Sequence, residues 1–177
     1  KQIVQKRFAS LASPDLTAII DARAFERLTD ALQEATAQGA QVIPLLEGPA
    51  WDAEQRKIAP HLVLNVPHDC ALFKREIFGP VLPVYGYQQL DDVVYPASRQ
   101  PTPLAFYIFS HDAHTQRKLL TEVKSGGVSV NDVIYHAAQH DLPFGGVGES
   151  GMGRYHGHDG FKQFSHLRPV FYQARMS

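Results

Sequence analysis

The chain has 177 residues and a formal net charge of -1, and 44% of its residues are hydrophobic against 20% charged, which is typical of a globular domain. The near-neutral balance does not indicate a nucleic-acid or membrane surface, and no apolar run approaches the roughly 20 residues that span a bilayer. The single cysteine, Cys70, cannot form an internal disulfide, so we expect a reducing compartment, the cytoplasm.

The first half of the chain alternates between helical and extended patterns. Apolar side chains at residues 1–9 are typical of the end of a helix, so we expect this to be a piece of a longer chain. Asp21 is placed to cap a second helix, and Gly39 suits the position just after its end. Loops or connectors at 47–58 and 67–75 separate three predicted strands, at residues 42–46, 61–66 and 81–87.

The same alternation continues into the second half. Residues 90–100 are weakly helical, and Pro96 is expected to end or kink that helix. The near-continuous apolar run at 104–109 predicts a strand that is buried on both faces. A capped helix and a strand at 128–130 follow. The pattern predicts an α/β fold, a layered and largely parallel sheet with flanking helices.

The last third of the chain has a different character. Residues 131–160 are rich in Gly, His and polar residues and predict a long irregular stretch, which in compact domains is usually functional. Residues 161–173 return to strand-like alternation, so we expect an edge strand that awaits a partner. These patterns divide the chain into residues 1–160 and a C-terminal strand and tail, residues 161–177.

The segment EIFGPV, residues 76–81, is the first candidate site. Glu76 and Phe78 would face the same way if this segment is extended, with Gly79 allowing a tight turn or close approach to a ligand. A carboxylate that accepts hydrogen bonds from vicinal hydroxyls is a recurring way to hold a ribose. The alternative is a solvated glutamate next to a core phenylalanine before a strand.

A second candidate follows the predicted strand at 128–130. Ligands in open α/β sheets lie beyond the carboxyl ends of strands, so residues 131–136 and Phe144 are candidates for a pocket wall, against the alternative of an ordinary packed loop. Gly146, Gly148 and Gly151 match a dinucleotide fingerprint as a bare pattern, but no strand–helix junction surrounds them. We therefore interpret this run as a loop that must turn tightly.

The histidines and the cysteine give weaker signals. The pairs His111/His114 and His156/His158 lack a carboxylate or cysteine at ligand spacing, so no metal site is predicted. A cysteine hydrolase using Cys70 is a further hypothesis, but no glycine-rich turn or helix start is placed to lower its pKa.

Several blocks, in order and with matching spacing, resemble the C-terminal part of an NAD(P)-dependent aldehyde dehydrogenase. They are EIFGPVLP at 76–83, PLAFYIFS at 103–110, SGGVSVND at 125–132 and LPFGG at 142–146. The blocks GMGRYHG at 151–157 and FSH at 164–166 are most similar to the class 3 branch, which includes fatty and coniferyl aldehyde dehydrogenases. The resemblance covers nearly the whole chain, and the ordered set is more specific than any single block.

The resemblance implies a reaction and residues that take part in binding. A cysteine thiolate attacks the aldehyde, hydride passes to NAD or NADP, and a glutamate-activated water releases the carboxylic acid. By resemblance Glu76 holds the nicotinamide-ribose hydroxyls, Phe78 lies beside the nicotinamide ring, and Phe144 lines the aldehyde tunnel. Three further residues are expected to shape the outer pocket: Asn131, Ile134 and His136.

The resemblance also implies what this chain lacks. The family's nucleophile precedes the helix that ends near Phe8, and its general base, oxyanion-hole asparagine and Rossmann domain are not in this chain. We therefore expect residues 1–160 to be a catalytic-domain portion that is inactive alone, and residues 161–177 to form the oligomerisation strand of a homodimer. The small-molecule aldehyde is the expected substrate partner. The alternative is a non-enzymatic scaffold or assembly module that pairs through its C-terminal strand.

Overall fold

The computed structural model describes residues 1–175, which form two compact units that divide after Gly86. The predicted functional boundary at residue 160 does not coincide with this division and stays a prediction. The elements of the first unit are α1 (Gln2–Arg7), α2 (Ala22–Ala37), β1 (Gln41–Pro44), β2 (Trp51–Asp52), β3 (Lys57–Ile58), β4 (His61–Leu64), α3 (Ala71–Lys74) and β5 (Val81–Val84).

Helix α2 is the main helix of the first unit, and its ends follow the sequence signals. The Asp21 carboxylate accepts a hydrogen bond of 2.7 Å from the Ala24 amide, which satisfies one of the free N–H groups of the first turn. Gly39 follows the helix end with φ of 89°, a conformation that glycine adopts without steric cost. The apolar face of α2 packs against the strands and forms a core with them. Fully buried in this core are Leu28 and Ala35 of α2 and Val63 of β4.

The first unit contains a three-stranded sheet in the order β1–β4–β5. Strands β1 and β4 are antiparallel, with Val42 opposite Val63, whereas β4 and β5 are parallel and are connected through α3. Strands β2 and β3 form a small antiparallel hairpin within residues 47–58, where the sequence pattern left a loop or a hairpin open.

The second unit contains one parallel pair of strands with helices packed on it. Its elements are α4 (Asp91–Arg99), β6 (Ala105–Ile108), α5 (Ala113–Glu122), β7 (Gly127–Val130), α6 (Tyr135–Ala138), a 3₁₀ turn (Gly148–Ser150) and α7 (Gly157–Gln163). The Asp112 carboxylate caps α5 by accepting from the Thr115 amide. Four buried side chains from α4, β6 and the α5 region form the core: Val94, Ile108, Leu119 and Val123.

The α/β class with flanking helices is confirmed, with mixed sheets rather than one parallel sheet. Two details differ from the prediction. Helix α4 continues through Pro96 to Arg99. Strand β6 is not buried on both faces, because Ile108 enters the core while Tyr107 and Phe109 on the opposite face are exposed. That exposed face is covered only in part by α6, through contact between the rings of Tyr107 and His136.

The end of the chain departs from the predicted strand at its start. Residues 161–163 belong to helix α7, so the strand prediction is wrong for them. The Gly160 amide donates a helical hydrogen bond to the His156 carbonyl. Residues 166–175 have no helix or strand in this single chain. A strand that requires a second subunit stays a prediction there, and Met176 and Ser177 lie outside the described residues. No helix in residues 1–175 is long and apolar enough to cross a membrane.

Candidate functional site

Glu76 and Phe78 lie on an exposed loop that joins α3 to β5 in the first unit. Phe78 has φ of 47°, so the segment is not extended and the predicted strand-like alternation of the two side chains is wrong. This conformation is unusual for a bulky residue and requires support from the surrounding structure. The Phe78 side chain is 81% exposed, which also contradicts the alternative that it belongs to the core.

Two neighbouring residues of α2 support this loop. The Arg27 guanidinium donates a hydrogen bond of 2.8 Å to the Ile77 carbonyl and a longer one of 3.5 Å to the Glu76 carbonyl. Gly79 lies directly against Leu28, so a Cβ at Gly79 would come within 2.6 Å of a Leu28 methyl group. Because Leu28 is fully buried in the core, the helix provides a rigid base for the loop.

The Glu76 carboxylate is available for a ligand. Glu76 is exposed and forms no ion pair within residues 1–175, since Arg27 donates to main-chain carbonyls instead. A groove of about 500 Å³ between α2 and α3 runs beside Glu76 and carries both positive and negative side chains. An unpaired carboxylate and an exposed aromatic ring on one rigid loop fit a ligand that offers both hydroxyl groups and a flat ring.

Asn131 directly follows β7 in the second unit. Its side chain links this point to the main chain of Ser110 by hydrogen bonds. Its side-chain oxygen accepts from the Ser110 amide at 2.9 Å, and its amide nitrogen donates to the Ser110 carbonyl at 3.0 Å. Its backbone has φ of 57°, a left-handed conformation that asparagine tolerates better than most residues. Both polar ends of the side chain are therefore engaged with Ser110, two residues after the end of β6, so a pocket role for Asn131 stays a prediction.

Ile134 and His136 surround the start of α6, and they lie in different environments. Ile134 is exposed and has φ of 68°, which is costly for a β-branched residue. His136 is buried, with Nδ1 3.0 Å from the Ser129 hydroxyl, which also accepts from the His136 amide at 3.2 Å. Gly127 leaves room for the imidazole, because a Cβ there would overlap the ring.

Phe144 belongs to a cluster of aromatic side chains in the second unit. It is bridged to Tyr155 by backbone hydrogen bonds of 2.8 and 2.9 Å, and its ring stacks on His156 at 5.7 Å between centroids. The His136 ring is 6.2 Å away. Phe144 also lines a cleft of about 450 Å³ together with the glycine-rich loop. Of the residues predicted for the substrate pocket, the structure thus brings Phe144 and His136 into direct proximity.

The glycine-rich run is a tightly folded loop, as predicted. It forms a 3₁₀ turn at Gly148–Ser150, and a Cβ at Gly146 would overlap the backbone of Ser150. It does not join a strand to a helix, so it lacks the geometry of a dinucleotide fingerprint.

Sequence reasoning missed the support around both sites. Arg27, Ser129, Tyr155 and His156 were not predicted to have these supporting contacts, and for Arg27 the contact is to residues about 50 positions away, which no local pattern indicates. Cys70 is the N-cap of α3, so the expectation that no helix starts there is wrong. Cys70 is nevertheless fully buried in the core of the first unit, which argues against the hypothesis of a cysteine hydrolase.

Comparison with known proteins defines the class. The model of the aldehyde dehydrogenase family matches residues 5–170, and the chain belongs to this family. A probable coniferyl aldehyde dehydrogenase of Pseudomonas aeruginosa is 44% identical over 178 residues, which cover 100% of this chain and 37% of that protein. A coniferyl aldehyde dehydrogenase of another Pseudomonas strain is 45% identical over 93% of this chain and 34% of its own length.

Solved structures agree with this assignment. A substrate-bound state of Staphylococcus aureus AldH superposes with a TM-score of 0.83 and 35% identity, over 99% of this chain and 38% of that one. A 3,6-anhydro-L-galactose dehydrogenase in complex with NAP gives a TM-score of 0.70 and 31% identity, over 82% of this chain and 31% of its own. The chain therefore spans about a third of the length of these proteins, and the comparisons do not support the scaffold alternative.

Proposed function

We propose that this chain is the part of an NAD(P)-dependent aldehyde dehydrogenase that contributes one wall of the coenzyme site and one wall of the substrate site. The observation that carries the proposal is the loop at Glu76 and Phe78, where an exposed ring and a carboxylate that forms no ion pair with any of residues 1–175 are held on a rigid base. Membership of the aldehyde dehydrogenase family supports a nicotinamide coenzyme as the ligand with this chemistry. Bound coenzyme would accept hydride from the substrate.

The residues of this chain bind and orient rather than attack. Glu76 would accept hydrogen bonds from the nicotinamide-ribose hydroxyls, and Phe78 would pack beside the nicotinamide ring. Because Cys70 is the only cysteine and is buried, the nucleophile belongs to a part of the protein outside these 177 residues. We expect the 177-residue polypeptide alone to show no aldehyde oxidation.

The substrate is proposed to be an aromatic aldehyde of the coniferyl type, on the strength of the coniferyl relatives and of the aromatic cluster around Phe144. Aromatic rings pack well against one another in offset or edge-to-face geometry, which favours a ring-bearing substrate near Phe144. Three other residues complete the proposed outer wall: Asn131, Ile134 and His136.

The coenzyme part of the proposal is tested in the full-length protein with Glu76→Gln. This change removes the charge of the acceptor, and we expect the Kd for NAD+ or NADP+ to rise about tenfold, as for the loss of a charge-assisted hydrogen bond. Glu54→Gln, on the exposed turn between β2 and β3, is the matched control and should leave the Kd unchanged. Equal coenzyme affinity in wild-type and E76Q protein would overturn the proposal.

The substrate part is tested with Phe144→Leu, using an internal comparison of two substrates. We expect KM to rise more for coniferyl aldehyde than for a short aliphatic aldehyde, because only the former has a ring to pack against Phe144. An equal change for both substrates would argue against the aromatic preference.

A cytoplasmic homodimer completes the proposal. Residues 166–175 carry exposed apolar side chains, among them Leu167, Phe171 and Tyr172, which are expected to be covered by a second subunit. Light scattering of the full-length protein and of a Phe171→Asp variant tests this, with a dimer expected only for the former. Dimers of equal strength in both would argue against this segment as the interface.

A further inference from the structure

We propose that Arg27 is a positioning residue for the coenzyme site, acting through the main chain of the loop that carries Glu76 and Phe78. This inference rests on the proposed function of that loop. Arg27 itself lies on α2, outside the blocks that indicate the family.

The two hydrogen bonds of Arg27 reach two consecutive peptide units, and the shorter one holds the unit next to Phe78. The Ile77 carbonyl, which accepts at 2.8 Å, belongs to the peptide unit that immediately precedes Phe78. The dihedral φ of Phe78 is the rotation between this peptide unit and the rest of the residue. Arg27 therefore acts at the bond whose conformation, 47°, is unfavourable for phenylalanine.

The peptide unit that follows Phe78 is held by different contacts. Gly79, whose nitrogen belongs to that unit, lies on the fully buried Leu28. One unit further on, the Gly79 carbonyl accepts from the Val81 amide at 2.8 Å. Arg27 and Leu28 are consecutive residues of one helix, so the chain contacts the same rigid element immediately before and immediately after Phe78. A loop that is fixed on both sides keeps its exposed side chains in place before a ligand binds.

The groups to which Arg27 donates also determine whether the Glu76 carboxylate is free to bind a ligand. An arginine next to a carboxylate commonly forms a bidentate ion pair, which would occupy the carboxylate oxygens. Here the guanidinium donates to the carbonyls of Glu76 and Ile77, and Arg27 forms no ion pair within the part of the chain that the structure describes. The cation thus positions the segment while leaving the Glu76 carboxylate able to accept from a ligand.

The test measures NAD+ affinity of the full-length protein by titration calorimetry without aldehyde. Arg27→Ala should raise the Kd about tenfold, and Arg27→Lys, which offers one compact donor instead of a fork, should give a smaller rise. Arg23→Ala is the matched control: Arg23 lies one helical turn away beside the same groove and makes no hydrogen bond from its side chain within residues 1–175. It should stay within twofold of wild type.

A double-mutant comparison separates positioning from direct contact. If Arg27 acts through the loop side chains, R27A should change the Kd by less than twofold in an E76Q/F78A background. The same tenfold loss in that background would overturn the inference, because Arg27 would then bind NAD+ directly. If E76Q weakens binding and R27A does not, the inference fails while the proposed function stands; if E76Q and F78A leave the Kd unchanged, the proposed function itself fails.

A spectroscopic measurement on the coenzyme-free protein gives an independent readout. With 4-fluorophenylalanine in place of Phe78, the ¹⁹F spectrum should show one sharp resonance in the parent protein and a broadened or split one with R27A. R27K supplies the same comparison if R27A does not fold. An unchanged resonance in folded R27A or R27K protein would contradict the role of Arg27 in holding the loop.

Discussion

Asn131→Ala distinguishes two possible roles of Asn131. The side chain either stabilises the backbone by its hydrogen bonds to Ser110 or lines the substrate pocket. The change removes both hydrogen bonds to Ser110, which are exposed and therefore worth about 0.5 kcal/mol each, at the low end for such bonds. Alanine at φ of 57° adds about 1 kcal/mol of backbone cost. We expect the junction of β6 and β7 to lose about 2 kcal/mol of local stability.

Amide hydrogen exchange of the full-length protein measures this loss directly. A change of about 2 kcal/mol corresponds to roughly a thirtyfold faster exchange of the amide of residue 131, which donates to the Ile108 carbonyl at 2.7 Å. Asn131→Gly is the matched variant, because it removes the same hydrogen bonds but accepts the left-handed backbone. It should lose only about half as much free energy.

The result that would refute this reasoning is a kinetic one. If N131A exchanges like the wild type at residue 131 but raises KM for the aldehyde, then Asn131 acts on substrate and its contacts with Ser110 are incidental. If exchange accelerates as expected and KM is unchanged in N131G, Asn131 is a backbone residue and should be removed from the proposed pocket wall.

Gly127→Ala should destabilise the second unit by about 1–3 kcal/mol, since the added Cβ overlaps the His136 ring. In thermal unfolding, His136→Ala should therefore reduce stability less in the G127A background than in the wild type. Equal losses of stability in both backgrounds would contradict the clash. Burial lowers the pKa of His61, so the unfolded chain binds a proton below pH 6.5 while folded His61 stays neutral. Stability should therefore be complete above pH 6.5 and fall as the pH drops below it, with a shallower slope in His61→Gln; equal slopes would contradict this. The buried Cys70 thiol should resist iodoacetamide until the protein unfolds, and rapid alkylation of native protein would disprove its burial.

The sequence predicts most elements because their signals are local. Asp21 and Asp112 are capping residues within hydrogen-bond reach of their own helices, and Gly39 ends α2 where a positive φ is required. Pro96 shows the limit of such signals, because packing of α4 in the core keeps the helix intact through a residue that disfavours it. Alternating residues at 161–163 were similarly ambiguous between strand and helix.

The candidate sites were only partly predictable for a different physical reason. Glu76, Phe78 and Phe144 stand in recognisable blocks, but their conformation depends on residues distant in the chain. Arg27 reaches a carbonyl 50 positions away, and the positive φ of Phe78 follows from that contact and from packing on α2. Neither leaves a periodic pattern in the sequence.

The backbone of Ile134 has a practical consequence for engineering this protein. An exposed isoleucine with φ of 68° costs stability where it stands, and glycine or asparagine would relieve about 1 kcal/mol of that cost. Selection of variants for heat resistance should therefore favour glycine or asparagine at position 134, and the apolar side chain would be lost. A library selected for turnover of bulky aldehydes should retain a large side chain, so the two selections would move this one position in opposite directions.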